Sequence, residues 1–401
     1  MFIYFKLLKI FSRVMRFFRK DSLLYLIFPP ASPGSLGDEA MMTCLVEGIS
    51  GQGTMIDVLV YKTSDKWACL SENSRNLYIR KLWSKKNRLA LLLFSFAVVK
   101  YDRFFVLGAD VLDGKYNEHQ SLLKIKLLGL AFKAGVDVVI VGFSFNDSPL
   151  PTCSAALAAL PEGIQLKSRD AVSQKRLKRF TGRDVKLTAD IAFLLKSETK
   201  SKNVLDIAQW ISQEKNRGRI IVGLNLNQHV FNIKDRQDLD EIIKKFSEVS
   251  AKLIQSRNVS IVGIPHDYRG DDNDKHLLER VQERLPIELK NHFKLLEGDF
   301  NSREIKGVCS YLDIVFSCRM HLAIAALGTL VPVGCMVYQG KFEGLFQHFG
   351  LENCTISQNE AFADDNLINF IFSIINQKNK NKKIIVEKLP KVKMLSSRNF
   401  N

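Results

Sequence analysis

Arg319 and His321 stand one residue apart in the stretch Phe316-Ser-Cys-Arg-Met-His-Leu-Ala, after an apolar run and before a run of Ala and Leu. An arginine's planar fork donates two parallel hydrogen bonds to a phosphate or carboxylate. A histidine exchanges its proton near neutrality. A helix N-terminus lowers an imidazole pKa and a nearby anion raises it, so this pair at a strand-to-helix turn reads as an anion clamp with a proton donor. Lys341 and Glu343 follow the next apolar run and add a cation and an acid.

Four further stretches place polar groups where apolar runs end. Pro33-Gly34-Ser35-Leu36-Gly37-Asp38 offers close backbone approach at Gly34 and Gly37 ahead of a helix N-terminus, with Asp38 as a base or a helix cap. It lacks the GxGxxG spacing of a dinucleotide site and the Gly-Lys-Ser/Thr of a P-loop. Gly108-Ala-Asp110-Val-Leu-Asp113-Gly114 holds two carboxylates that could orient sugar hydroxyls, act as base, or sit solvated in a turn. Arg169, in Lys167-Ser-Arg-Asp170, is a second anion clamp or the partner of Asp170 or Asp190. Asn225 and His229 follow one apolar run, and His266-Asp267 follows another ahead of the acidic loop Asp271-Asp-Asn-Asp274. Such groups bind polar ligands or cap loops.

The elements that must position these residues are apolar runs alternating with helical patterns. Leu23–Phe28, Met55–Tyr61, Phe104–Leu107, Val136–Gly142 and Gly163–Lys167 read as strands of a first half. Arg219–Leu224, Val259–Ile264, 312–316 and Val331–Val337 read as strands of a second. Strand and helix in turn is the pattern of a parallel sheet covered on both faces. The fold class expected is α/β, with two Rossmann-like domains facing a cleft. The expected boundaries are a basic amphipathic helix at 1–20, one domain at 22–195, a polar linker at 196–218, a second domain at 219–375 and a basic tail at 376–401. Ligands of such sheets sit outside the C-terminal strand ends.

A length of 401 residues fits two domains, and 46% hydrophobic with 25% charged residues is a globular composition. The net charge of +16 is concentrated at the ends. Residues 1–20 carry six cations and no acid, and residues 376–401 carry seven Lys, Arg398 and one acid, Glu387. The remaining body is close to neutral, which argues against nucleic acid as a partner. Seven scattered Cys without a CxxC pair predict reduced thiols in a cytoplasmic protein, and no metal site is indicated. Leu89–Val99 is too short to cross a bilayer and reads as a core helix. The first 20 residues, with cations at 6, 9, 13, 16 and 20 and apolar residues between them, read as a helix on the surface of an anionic membrane or docked on the body.

Taken in order, these motifs resemble the polysaccharide pyruvyl transferase family. Its Gly-Asn-x-Gly-Asp loop resembles residues 34–38, and its Gly-Ala-Asp-x-Leu-Asp-Gly element resembles 108–114. Its Arg-Asp-x-x-Ser resembles 169–173 and its Asp-x-Ala-Phe resembles 190–193. The Ser-x-Arg-x-His-x-x-x-x-Ala hallmark, with a Tyr-x-x-Lys element after it, resembles 317–341. The departures are Ser35, where the family usually has Asn, and Phe143-Ser-Phe-Asn-Asp147, where many relatives carry a Ser-Ile-Gly-Pro-like turn.

The resemblance implies a glycosyltransferase-B-like fold and transfer of the enolpyruvyl unit of phosphoenolpyruvate to a sugar as a cyclic ketal, with phosphate released. Phosphoenolpyruvate would be the co-substrate and no cofactor would be needed. Arg169, Arg319 and Lys341 would hold its phosphate and carboxylate, and His321 would protonate carbon 3. Asp38, Asp110 or Asp113 would orient or deprotonate the sugar hydroxyls. The acceptor would be a sugar of a cell-surface polysaccharide or its lipid-linked oligosaccharide precursor, with residues 1–20 holding the enzyme on the inner face of the plasma membrane. The rivals are a nucleotide-sugar glycosyltransferase of the same architecture, in which His266 or Glu343 faces a nucleotide, and a non-catalytic scaffold in glycan assembly.

Overall fold

Short runs of β-branched and aromatic residues pair in parallel to form two sheets, each with helices between its strands. The computed structural model describes residues 2–19, 22–231, 236–256, 258–337, 340 and 342–400. They divide into two units. The first comprises residues 1–33, 41–191 and 394–401, and the second comprises 34–40 and 192–393.

The first unit carries strands β1 (Leu23–Phe28), β2 (Thr54–Leu59), β3 (Asn76–Leu77), β4 (Arg103–Leu107), β5 (Asp137–Phe143), β6 (Gln165–Ser168) and β7 (Lys186–Leu187). Their order is β3-β2-β1-β4-β5-β6-β7, all parallel. The register is set by central pairs such as Ile27 with Phe105 and Val106 with Ile140. The helices introduced along this stretch are α1 (Phe2–Phe18), α2 (Leu36–Ile49), α3 (Arg88–Val98), α4 (Glu118–Lys133), α5 (Pro151–Ala158) and α6 (Ala171–Thr181). Both faces of the sheet are covered, so β5 reads Asp-Val-Val-Ile-Val-Gly-Phe with six of seven residues buried.

The second unit carries α7 (Lys202–Asn216), β8 (Ile220–Leu224), α8 (Arg236–Ser256), β9 (Val259–Gly263), α9 (Asp274–Glu283), β10 (Phe293–Leu295), α10 (Ser302–Cys309) and β11 (Ile314–Ser317). It continues with α11 (Met320–Gly328), β12 (Val333–Val337), α12 (Glu343–Gln347), β13 (Thr355–Ser357), α13 (Gln358–Phe362), α14 (Asn366–Asn376) and α15 (Lys378–Ser397). Its sheet order, β10-β9-β8-β11-β12-β13, repeats the Rossmann order of the first. The order reverses direction between β1 and β4 in the first unit and between β8 and β11 in the second. In such sheets a crevice opens at the carboxyl ends of those two strands.

Three expected segments differ in the structure. The 196–218 stretch, expected as a linker, lies wholly in the second unit, where α7 buries Val204, Ile207 and Ile211. The 376–401 stretch, expected as a basic tail, is mostly the helix α15, and its last residues belong to the first unit. There the Lys167 ammonium donates to the Asn399 carbonyl at 3.0 Å, and the Asn399 amide donates to the Ala189 carbonyl at 2.8 Å. The Leu89–Val99 run, expected as a core helix, is α3, and only one side of it is buried.

Helix α1 packs on the first unit through Leu8 and Ser12, whose hydroxyl donates to the Val99 carbonyl at 2.9 Å. Its basic residues divide. Arg16 donates to the Gly135 carbonyl at 2.7 Å and Arg19 pairs with Asp102, whereas Lys6, Lys9 and Arg13 stay exposed.

Candidate active site

In the second unit, the chain leaves β9 through Ile264-Pro265-His266-Asp267 and meets the loop 34–36 in a short antiparallel pairing. Ser35 bridges Asp267, the Leu36 amide donates to the His266 carbonyl at 3.0 Å, and the Tyr268 amide donates to the Gly34 carbonyl at 2.9 Å. Gly34 has a φ of +125°, and a Cβ there would lie 2.6 Å from Arg269 Cγ. Only glycine fits both demands, and the result is an Arg269 side chain laid across the loop.

Arg269 and Arg319 are threaded through three carboxylates. Arg269 donates to Asp267 through Nε at 2.9 Å and Nη2 at 2.7 Å, and its Nη1 lies 3.3 Å from Asp38 Oδ2. Arg319 grips Asp274 with Nε and Nη2, the shortest contact 2.6 Å, and gives Nη1 to Asp267 at 3.1 Å. Asp274 is fully buried at the first position of α9 and also accepts from the His266 amide at 3.1 Å and the Asn225 side chain at 2.9 Å. Burial pushes the Asp274 carboxyl up while Arg319 and Asn225 pull against it. Burial opposes ionisation of Asp267 too, but Arg269 and Arg319 hold it below the usual carboxylate range. A guanidinium 17% exposed with three donors so committed is fixed in orientation.

His321 lies in the first turn of α11, which follows a turn closed by Ser317. The Ser317 hydroxyl accepts from the Arg319 amide at 3.0 Å and donates to the Arg319 carbonyl at 2.8 Å. The His321 ring lies against Gly37, in the first turn of α2: a Cβ at Gly37 would come 2.5 Å from His321 Nδ1. Two helix N-termini thus adjoin at one imidazole, and their dipoles favour an anion there. Asp38 is in the same turn of α2, where Ser35 performs the capping by accepting from the Asp38 amide at 3.4 Å. The Asp38 carboxylate goes instead to Arg269. His266 sits behind, and burial with the neighbouring His321 and Arg319 pushes its pKa down to about 3. Burial raises the Cys318 thiol, which removes it as a nucleophile at neutral pH.

The other sequence candidates of this unit separate. Asn225 follows β8 and is fully buried, donating to the Ile264 carbonyl and to Asp274, so it supports the network from behind. Glu343 begins α12 and is exposed. His229 falls in a 3-10 turn with its side chain outside the described set, and Lys341 lies outside the described residues.

In the first unit, Arg169 forms the ion pair that is one of its two sequence readings. It follows β6 with 3% exposure, pairs with Asp190 at 3.0 Å and donates to the Ser144 hydroxyl at 2.5 Å. Its neighbour Asp170 caps α6, accepting from the Ser173 amide at 2.6 Å and hydroxyl at 2.8 Å, which accounts for the Arg-Asp-x-x-Ser spacing. Asp113 is buried and closes its own turn by accepting from the Lys115 amide at 3.0 Å. Asp110 is half-buried and accepts from the Tyr116 hydroxyl at 3.2 Å. It follows Ala109, whose φ of +41° is a strained value for a residue with a side chain. Gly108 is required because a Cβ would sit 2.4 Å from that of Phe143.

Arg269 and Asp274 were missed as site residues by sequence reasoning, and Asp267 was noted only beside His266. Asp267 had a usable signal in its place after an apolar strand. Asp274 read as one of several solvated acids, and Arg269 has no motif. Among the described residues, no group of three His, Cys, Asp or Glu is arranged to hold a metal ion.

Comparison with known proteins places these motifs in context. The family model described as polysaccharide pyruvyl transferase matches residues 36–340. No curated protein matches. Among solved structures, the chain is similar to a putative UDP-N-acetylglucosamine 2-epimerase of Listeria monocytogenes, at 13% identity over 94% of each chain with a TM-score of 0.62. It is also similar to a UDP-forming alpha,alpha-trehalose-phosphate synthase of Burkholderia vietnamiensis, at 11% identity over 94% of this chain and 98% of that one, TM-score 0.57. A third is Anabaena HepE in complex with UDP, at 13% identity over 94% and 96%, TM-score 0.54. At such identities these likenesses speak for the fold, which is of the glycosyltransferase-B class. With the matched region running from the first turn of α2 through the Arg319–His321 turn to residue 340, the chain belongs to the polysaccharide pyruvyl transferase family.

Proposed function

We propose that this protein transfers pyruvate from phosphoenolpyruvate to two hydroxyls of a sugar, forming a cyclic ketal and releasing inorganic phosphate. The observation that carries this reading is the meeting of the first turns of α2 and α11 at His321 and Gly37, beside two guanidiniums. Phosphoenolpyruvate is a small polyanion, and paired helix N-termini suit its phosphate or carboxylate. Arg319 and Arg269 stand beside them, each held in orientation by carboxylates, and Lys341 is the further cation of the same motif.

His321 gives a proton to carbon 3, which leaves carbon 2 as an oxocarbenium centre. The first sugar hydroxyl adds to carbon 2 and loses its proton to Asp38. The carbon–oxygen bond to phosphate then breaks, phosphate departs with that electron pair, and the second hydroxyl adds to carbon 2 to close the ring, its proton passing to the departing phosphate. The reaction is redox-neutral. The acceptor is a sugar of a cell-surface polysaccharide or its lipid-linked precursor, and the enzyme works on the cytoplasmic face of the membrane that holds it.

The test is thermal stabilisation by phosphoenolpyruvate, compared with UDP-sugars and inorganic phosphate. A ligand at about 100 times its dissociation constant stabilises by about 2.7 kcal/mol. A shift with phosphoenolpyruvate that is lost in His321→Ala or Arg319→Ala supports the reading. A shift with a UDP-sugar alone overturns it.

A further inference from the structure

Helix α3 is apolar on every side, and its two sides have different fates. Ala90, Leu91, Phe94 and Val98 are buried in the first unit. Leu89, Leu92, Leu93 and Phe96 recur at helical spacing on the opposite side and are exposed, Leu89 by 69% and Phe96 by 51%. An i, i+3, i+4, i+7 row of large apolar residues in water is not the outer face of an ordinary surface helix.

The row is continued by α1. The Tyr4 and Phe96 rings meet edge to face at 5.5 Å between centroids, joining the two helices. Leu8 and Ser12 hold α1 down, so its outer arc presents Leu7, Ile10, Phe11, Val14, Phe17 and Phe18, with Phe17 65% and Phe18 82% exposed. Two helices of one unit therefore expose adjoining apolar faces. On a helix at 100° per residue, the exposed Lys6, Lys9 and Arg13 fall along the edge of α1 away from Tyr4. Lys85, Lys86 and Arg88 are exposed at the N-terminus of α3. Neither residues 1–20 nor 80–100 contains an acid.

We propose that α1 and α3 together form a platform that lies in the interface of an anionic lipid membrane, with the leucine row of α3 inserted beside the phenylalanines of α1. The charge pattern selects this occupant. Flanking cations without acids complement anionic headgroups, whereas a second copy of the chain would bring the same cations against one another. No helix among the described residues is long and apolar enough to cross a membrane, so contact of this kind is interfacial. The proposal needs no step of pyruvyl transfer, and its test reads lipid binding alone.

The experiment is flotation of the full chain with phosphatidylcholine vesicles, with and without about one third phosphatidylglycerol. The wild type is expected to float with the anionic vesicles and to be released by high salt. Leu92→Ser with Leu93→Ser is expected to lower partitioning by about tenfold or more, because it removes apolar groups that insert. Leu7→Ser with Phe11→Ser should do the same. These positions are exposed, so the melting temperature should hold within a few degrees. Should a serine pair nonetheless unfold, Lys6→Glu with Lys9→Glu and Arg13→Glu provides the second reading, expected to abolish preference for anionic lipid. Wild type that stays unbound to anionic vesicles overturns the proposal, as does an α3 variant that floats like wild type. A wild-type dimer in sedimentation that Leu92→Ser with Leu93→Ser dissociates, without vesicle binding, would overturn it in favour of an interface between copies.

Discussion

Gly37 lies so close to His321 that a methyl group in its place would stand 2.5 Å from the imidazole Nδ1. The contact holds the first turns of α2 and α11 together and leaves the ring no room to rotate toward the loop. Gly37→Ala is therefore expected to push the first turn of α11 aside together with His321, since the added methyl also comes 2.8 Å from the His321 Cβ, which no rotation of the ring relieves. Turnover should fall by about tenfold or more, in line with the sensitivity of catalysis to about 1 Å of misplacement. The double variant with His321→Ala should lose little beyond His321→Ala alone. Additive losses in kcat would show that Gly37 acts through something other than the imidazole.

Asp274 joins three strand ends of the second unit on one carboxylate, holding Arg319 after β11, the His266 amide after β9 and Asn225 after β8. Its removal strips the Arg319 guanidinium of its bidentate partner and leaves it the contact with Asp267, while the His266 amide and Asn225 lose their buried acceptor. Asp274→Ala is expected to cost about 3–5 kcal/mol of stability, readable by urea denaturation. Asp274→Asn with Arg319→Met should recover a good part of that loss while remaining inactive. A variant Asp274→Ala within about 0.5 kcal/mol of wild type would sink the idea that the network is buried and coupled.

The sheets were legible because their strands are short apolar runs with turn residues between them, and the motif residues were legible because they stand where those runs end. Arg169 shows where such reading stops. Its sequence surroundings serve an anion clamp and an ion pair equally, and only the position of Asp190 chooses. Asp274 was obscured by its neighbours, since an acidic loop reads as solvated although one of its members is fully buried. Arg269 has no motif, and its role depends on a loop more than 200 residues away in sequence. For α3 the pattern was apolar all round, so periodicity could not tell which side lacks a cover.

The Arg169–Asp190 pair makes a prediction that separates support from binding. Arg169→Met would remove the guanidinium that pairs with the buried Asp190 and is expected to destabilise by about 3–5 kcal/mol. A residue that clamped the donor would instead raise KM with little change in melting temperature. Measuring both quantities on Arg169→Met and Arg169→Lys decides between the two. A large KM change at unchanged stability would return Arg169 to the ligand.

His266 gives a pH dependence whose sign is fixed by burial. Its folded pKa of about 3 lies below the ordinary value of 6.5, so the folded ring is neutral wherever the unfolded ring begins to take up a proton. Between those two values the unfolded chain binds one more proton than the folded chain. Stability from this group is therefore complete above pH 6.5 and declines as pH falls toward 3, by at most about 1.4 kcal/mol per pH unit. Asp267, held below its usual pKa, adds a decline in the same direction, but only below about pH 4. Urea titrations at pH 4.5, 5.5 and 6.5 isolate the histidine through comparison with His266→Gln, because Asp274, whose carboxyl burial pushes up, contributes the opposite slope to both proteins. The stability of His266→Gln should fall less steeply than that of the wild type across this range. Equal slopes would mean that the ring takes up its proton in the folded state, and that the pocket behind Arg319 is wetter than its burial implies.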